Sequence, residues 1–197
     1  MSSRHRFVLV HADESCLGNQ NSTPSRGGGG ALIEARVRGE IVHHDLYIHS
    51  SDATNNRMAL TGAIKTLEIL ARKGSKLSIV YVSDSQYLVK GMTEWLSGWK
   101  ARGWKRKGGK IENLELWQSL AAIGTKHSIE WSWVRGHAGH PKNEYADRMA
   151  VKAATDQISS GGVVESHFDQ WLEEQVAKGN LKEYDPNLDF TDHESRN

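Results

Sequence analysis

The segment Leu77-Ser78-Ile79-Val80-Tyr81-Val82-Ser83 is a near-continuous β-branched run that ends on Asp84, and Phe7 to Ala12 is a second apolar run that ends on Asp13. Runs of this kind read as strands buried in a mostly parallel sheet, which needs helices on its faces. That requirement restricts the chain to an α/β architecture. It also locates the chemistry, because α/β sheets hold ligands just beyond the carboxyl ends of their parallel strands. Two carboxylates placed there can share one cation.

The remaining elements follow from local signals. Gly27 to Gly30 opens a second strand, Ala31 to Arg38, and a third, Ile41 to Ile48, follows a turn at Gly39-Glu40, so a short antiparallel meander is expected. The four glycines lack the Gly-Lys-Ser/Thr ending of a phosphate loop and read as a flexible or bulged strand entry. Thr54 or Asn55 caps a helix from Arg57 to about Arg72 that keeps an apolar stripe of Met58, Ala63, Ile64, Leu67 and Leu70. Further helices are expected through Trp95, over Leu114 to Ile123 and over Lys142 to Thr155, with a fifth strand at Ser128 to Val134. Ser159-Ser160-Gly161-Gly162 is a linker signal, followed by one short helix, His167 to Lys178, and a disordered acidic end.

The formal net charge of +1 conceals two opposed blocks. Seven Lys/Arg between Lys90 and Lys110 stand against Glu94 alone, and nine acids from Glu165 to Asn197 stand against Lys178, Lys182 and Arg196. The pattern points to an insert that faces a polyanion and to an acidic tail. The single cysteine, Cys16, precludes an internal disulfide framework, and no apolar stretch is long enough for a signal peptide or a membrane span. A reducing, cytoplasmic setting and no membrane association are expected.

A third string, Trp133-Val134-Arg135-Gly136-His137-Ala138-Gly139-His140-Pro141-Lys142-Asn143-Glu144-Tyr145-Ala146-Asp147, runs from strand through a glycine-bearing loop to a helix in which Pro141 suits the first turn. Asp147 then lies on the second turn. Taken in order with the acid-ending strands and the Thr54-Asn55-Asn56-Arg57-Met58-Ala59-Leu60 block, it makes the chain resemble a type 1 ribonuclease H over roughly residues 5 to 155. The resemblance implies an RNase H-like fold over residues 7–155: a five-stranded mixed sheet, three strands antiparallel and then two parallel, flanked by helices. Residues 1–6 are then a flexible N-terminus and 156–197 a linker with an acidic C-terminal extension.

The resemblance also implies the chemistry. Asp13, Asp84 and Asp147 are the expected metal ligands for two Mg²⁺ ions, with Mn²⁺ as a substitute, and His137 matches the family's mobile loop histidine that assists proton transfer or product release. Two such ions can stabilise both the attacking and the leaving oxygen of a phosphodiester. An RNA/DNA hybrid is the expected partner of a monomer that needs no other protein. Asn19, Asn55, Asn56 and Gln86 match the family's contacts along the minor groove, placed to sense the 2′-hydroxyl, and Ser15 and Cys16, in the same loop as Asn19, are expected to offer backbone donors to the substrate. The segment Trp95 to Lys107 resembles a basic protrusion, spanning about residues 95–110, that grips the DNA strand. Trp95 and Trp99 are expected to pack, while Trp104, Lys100, Arg102, Lys105, Arg106 and Lys107 face the nucleic acid. A zinc pair at His137 and His140 has the wrong spacing for a helical site, and no cysteine stands near.

Three departures qualify the resemblance. Glu14 stands where members commonly have glycine, the extension after about residue 156 has no counterpart in the minimal core, and Ala59 occupies the position of a metal-binding glutamate. Strand alternation is expected to point Glu14 away from Asp13, and Glu68 lies more than two turns along the helix, so neither replaces the missing carboxylate. The expected activity is therefore endonucleolytic hydrolysis of the RNA strand of RNA/DNA hybrids, impaired by Ala59. The alternative is a catalytically inactive hybrid-binding protein.

Overall fold

The computed structural model describes residues 6–18, 25–72 and 74–196. The meander forms as β1 (Arg6–Leu17), β2 (Arg26–Val37) and β3 (Glu40–Ser50), joined antiparallel. Helix α1 (Asn55–Ala71) follows, capped by the Thr54 hydroxyl, which accepts from the Arg57 amide at 3.2 Å. β4 (Leu77–Ser83) and β5 (Ser128–Trp133) add in parallel on the other side of β1. Between them the chain runs α2 (Gln86–Lys90), a π-helical turn (Gly91–Trp95), α3 (Leu96–Ala101) and α4 (Leu114–Gly124), and after β5 comes α5 (Pro141–Asp156). The expected five strands are present in the expected directions. A sixth, the two-residue β6 (Val164–Glu165), pairs with β3, so the order is β5-β4-β1-β2-β3-β6.

β1 alternates between two cores. Val8, Val10 and Ala12 face α1 and α4, where Leu60, Leu67, Trp117 and Leu120 are buried. Phe7 and Leu9 face the opposite side with Val80 and Val82. β1 does not turn after Asp13 as expected but continues to Leu17, because the glycines pair with it: Asp13 lies opposite Gly30, Glu14 opposite Gly29 and Cys16 opposite Gly27. The glycines are therefore regular strand, neither a loop nor a bulge. Their reason is α5, which crosses β2 so closely that a Cβ on Gly28 would overlap the Ala150 carbonyl oxygen and one on Gly30 the Ala146 carbonyl oxygen.

The acidic end is ordered, contrary to expectation. The short helix appears as α6 (Phe168–Ala177), burying Phe168, Trp171 and Leu172 against Leu32, Tyr145 and Met149. A further helix, α7 (Pro186–Arg196), inserts Phe190, 0% exposed, beside Phe7 with ring centres 5.2 Å apart. Lys142, also 0% exposed, pairs with Glu34 at 2.8 Å and with Asp189 of α7 at 2.7 Å. The supposed linker is stitched to β3, since the Ser160 amide donates to the Tyr47 carbonyl at 2.9 Å and the Tyr47 amide to Ser160 Oγ at 3.2 Å. A tail can look detachable by charge and still close a core, because a helix that is mostly acidic needs only one face for burial. No helix among the described residues is long and apolar enough to cross a membrane.

Deletion after Thr155 is therefore expected to destabilise the protein, and Phe190→Ala alone to lower the unfolding free energy by about 3–5 kcal/mol. Chemical denaturation followed by circular dichroism measures both. Unchanged midpoints would make the extension an appendage.

Candidate active site

β4 stops at Ser83, paired with Ala12, so Asp13 and Asp84 emerge side by side at the carboxyl ends of neighbouring parallel strands. Asp13 is 7% exposed and held at both oxygens: the Glu14 amide donates to Oδ1 at 2.7 Å and Asn143 Nδ2 to Oδ2 at 2.9 Å. Asp84 sits in a tight turn where the Ser85 amide donates to Ser83 Oγ and the Trp133 indole N–H to the Asp84 carbonyl, at 3.1 and 3.0 Å. Gly136 lies directly over its carboxylate, so a Cβ there would overlap Asp84 Oδ2. Asp147 stands half-buried on the second turn of α5. Its charge is felt at Asp13 and it feels Asp84 in turn.

Glu14 joins this cluster. One carboxylate oxygen from each of Asp13, Glu14 and Asp84 falls within 4.8 Å of the other two, which corrects the expectation that Glu14 points away. Alternation does put Glu14 on the α1 side, and there it lines the same small cavity as Ala59, with about 10 Å³ left for a water centre. But β1 has no partner on the β4 side beyond Ala12, so the long glutamate reaches around the open edge toward the two aspartates. Glu68 is exposed and paired with Lys65 at 2.8 Å, away from the site.

Burial raises every carboxyl of the cluster, and mutual repulsion adds to it at Asp13, Glu14 and Asp147. Burial, then Asp84 and Glu14, pushes Asp13 up to about 9. Burial, then Asp84, pushes Glu14 up to about 8 against a hydrogen bond from Ser85. Burial raises Asp84 against a hydrogen bond with Asp13 and the His137 charge, and raises Asp147, where His137 again opposes and Glu144 and Asp84 add to the rise. Carboxylates that repel one another in a partly dry site, with oxygens converging on one point, are a donor set suited to a hard divalent cation.

His137 is exposed on the β5–α5 loop at φ 49°, close enough to influence Asp84 and Asp147. The loop is tied down where the Gly139 amide donates to Glu144 Oε1 at 3.2 Å. Ser15 and Cys16 are half-buried on the β1 extension, Asn55 and Asn56 open α1, and Gln86 opens α2 on the surface. Asn19 lies outside the described residues. In the protrusion Trp99 is buried against Trp117 and Trp95, with ring centres 5.5 and 5.8 Å apart, as expected for packing. Lys100, Arg102, Lys105, Arg106 and Lys107 are exposed and Trp104 is half-exposed at φ 61°. Sequence reasoning missed Asn143 and Trp133, whose only signal is their place beside a recognised acid, and it dismissed Glu14.

The raised carboxyls carry a sign for stability. A folded-state pKa above the unfolded one contributes stability fully present below the ordinary carboxylate range and lost as pH rises toward about 9 for Asp13 and about 8 for Glu14. The metal-free melting temperature is expected to fall from about pH 5 to about pH 9, and a divalent cation to recover more of it at higher pH, where fewer protons compete. Thermal melts with and without Mg²⁺ measure this, and a flat metal-free profile would contradict it.

The RNase H family model matches residues 5–155. A ribonuclease H of Francisella tularensis subsp. novicida is 42% identical over 152 residues, covering 77% of this chain and 93% of that protein. Among solved structures, LC9-RNase H1, described as a type 1 RNase H with the type 2 active-site motif, is 43% identical with a TM-score of 0.84. That likeness covers 92% of this chain, more than residues 1–155 could supply, and 88% of that one. LC11-RNase H1, solved in complex with an RNA/DNA hybrid, shares the fold at 19% identity and a TM-score of 0.55 over 76% of this chain and 98% of its own. With a family model spanning β1 to β5, α5 and the acid-bearing loops, the chain belongs to the RNase H family, as a type 1 ribonuclease H.

Proposed function

We propose that the chain hydrolyses the RNA strand of RNA/DNA hybrids at a Mg²⁺ site formed by Asp13, Glu14, Asp84 and Asp147, with Glu14 in place of the carboxylate that α1 lacks at Ala59. The observation that carries this reading is the convergence of Asp13, Glu14 and Asp84 oxygens within 4.8 Å. It replaces the view of an impaired variant: Ala59 removes nothing if the fourth carboxylate comes from β1. The alternative of an inactive hybrid binder then loses the observation that motivated it. LC9-RNase H1, a type 1 RNase H with the type 2 active-site motif, is a precedent for a type 1 protein that carries another active-site motif.

Each residue has a task set by its surroundings. Asp13 is oriented by Asn143 and the Glu14 amide, and Asp84 by its turn and the Trp133 indole, so both reach the scissile phosphate already fixed in place. Asp13, Glu14, Asp84 and Asp147 would hold two divalent cations, which would supply positive charge to the attacking and leaving oxygens of the phosphodiester. His137, exposed beside Asp84 and Asp147, holds or passes a proton at the mouth of the site. Ser15, Cys16, Asn55, Asn56 and Gln86 contact the hybrid and its 2′-hydroxyls. The protrusion's five cations bind phosphates of the DNA strand, next to a groove of about 350 Å³ lined by Tyr87, Trp95, Trp99 and Arg106.

Glu14→Ala is expected to lower the Mg²⁺-dependent cleavage rate by at least ~100-fold with hybrid affinity retained, since one misplaced ligand costs that much. Glu14→Gly combined with Ala59→Glu is expected to recover much of the loss, while Ala59→Glu alone adds a crowded charge and no gain. Single-turnover cleavage of a labelled hybrid decides. Undiminished activity in Glu14→Ala, or a tenfold rise in Ala59→Glu alone, would sink the reading.

Replacing Lys100, Arg102, Lys105, Arg106 and Lys107 with alanine is expected to flatten the dependence of log hybrid affinity on log salt by roughly 0.9 for each phosphate that no longer meets a cation. An unchanged slope, measured by fluorescence anisotropy across a salt series, removes the protrusion from the interface.

A further inference from the structure

Beneath the carboxylate site, on the α5 side of the sheet, a second group of ligating side chains converges that the hydrolysis does not use. His11 lies two residues before Asp13 on β1, His140 precedes α5 and stands three residues after His137, and Asp189 comes from α7. One ligand atom of each lies within 4.8 Å of the other two. His11 is 1% exposed, and its Nδ1, like Nδ1 of His140, is buried with no hydrogen-bond partner among the described residues. Glu34 Oε2 stands 3.8 Å from His11 Nδ1, beyond hydrogen-bond reach. Buried imidazole nitrogens normally find a partner, and two unsatisfied ones on neighbouring rings of one cluster call for an explanation.

We propose that His11, His140 and Asp189 form a structural zinc site that fastens the C-terminal helix to the loop bearing His137. The two imidazole rings lie 5.0 Å apart, centre to centre, and are inclined by 22°. His193 Nε2 stands 3.9 Å from Asp189 Oδ1, one turn along α7, at the edge of the three-residue cluster. The donor set of imidazoles and one carboxylate suits zinc better than magnesium.

Lys142 is the group a cation must tolerate, with its ammonium 2.7 Å from Asp189 Oδ2. Buried Glu34 pairs with it at 2.8 Å, and Asp189 keeps Oδ1 for the ion. Lys142, Glu34 and Asp189 together carry one net negative charge, which a divalent cation converts to one net positive. The Tyr184 ring, 6.0 Å from that of His140 at 65°, walls the site on the tail side. The helical spacing rule that excluded a pair at His137 and His140 remains valid, because the partners of His140 come from β1 and α7 instead.

The test uses the full chain carrying Asp84→Asn, which disables the carboxylate site, with Zn²⁺ as the probe. One equivalent of Zn²⁺ is expected to bind, to raise the melting temperature and to slow proteolysis of the C-terminal segment. Co²⁺ in its place is expected to give the intense visible bands of a tetrahedral site. Outer-shell partners alone are worth about 10–100-fold in metal affinity, so His140→Gln is expected to weaken zinc binding by at least ~100-fold and to abolish the thermal shift. Asp189→Asn is expected to do the same, but it also strips Lys142 of a partner; His140→Gln lies outside that ion pair and decides the matter if Asp189→Asn fails to fold. The proposal is overturned if the Asp84→Asn protein binds no zinc, if zinc brings no thermal shift, or if His140→Gln, folded by circular dichroism, binds zinc as tightly as before. Because the carboxylate site is disabled throughout, none of these outcomes depends on whether the chain cleaves hybrids.

Discussion

Helix α5 rests on β2 backbone against backbone, at a distance that only Gly28 and Gly30 permit. Glycine in a strand interior weakens it through chain entropy and the lack of a side chain to pack, so four in succession carry a cost that the site must justify. What the close approach achieves is placement. It sets Asn143 against Asp13 and Asp147 within range of Asp84, from a helix that would otherwise stand a side chain's width further off. The same helix puts Lys142 into the interior, where Glu34 and Asp189 must neutralise it. The placement of the acids and the ordered tail thus have one origin.

Charge burial then organises the α5 side of the sheet. An uncompensated interior ammonium is far costlier than a paired one, and Lys142 draws one of its two counter-charges from α7. His43 connects Glu34 to the other tail helix, with Nε2 3.2 Å from Glu34 and Nδ1 3.1 Å from Asp169. Hydrogen bonding and the charges of Glu34 and Asp169 outweigh burial and hold His43 above its ordinary value. Both tail helices are therefore anchored to one buried glutamate, while Phe168, Trp171 and Phe190 supply the apolar contact.

Much of this was legible in the sequence, for reasons that differ by element. β4 could be read because a strand in the parallel part of the sheet carries a near-continuous apolar run, β5 because Ser128 to Trp133 alternates, and α1 and α5 because a capping threonine and an N1 proline mark their starts. Asp13, Asp84 and Asp147 stood out because each ends a recognisable block. The glycine stretch was misread because local rules describe glycine's freedom and say nothing of a helix lying across it. The tail was misread because net charge averages over a helix, while burial is decided by one face of it.

Glu14 shows where strand periodicity stops being a guide. The rule that i and i+1 point to opposite faces holds along a strand paired on both sides, and β1 is so paired only as far as Ala12. Beyond that residue one edge is open, the two faces meet around it, and a glutamate has the length to place its carboxylate beside that of the preceding aspartate. A carboxylate carried on α1 would be positioned by the packing of α1 on β1, whereas Glu14 is positioned by the same backbone as Asp13, whose carboxylate its own amide also holds. Two carboxylates set by one strand respond together to any movement of that strand. Ala59 then lies 5% exposed, and the buried face of α1 carries no charge, with Thr66 its one polar member.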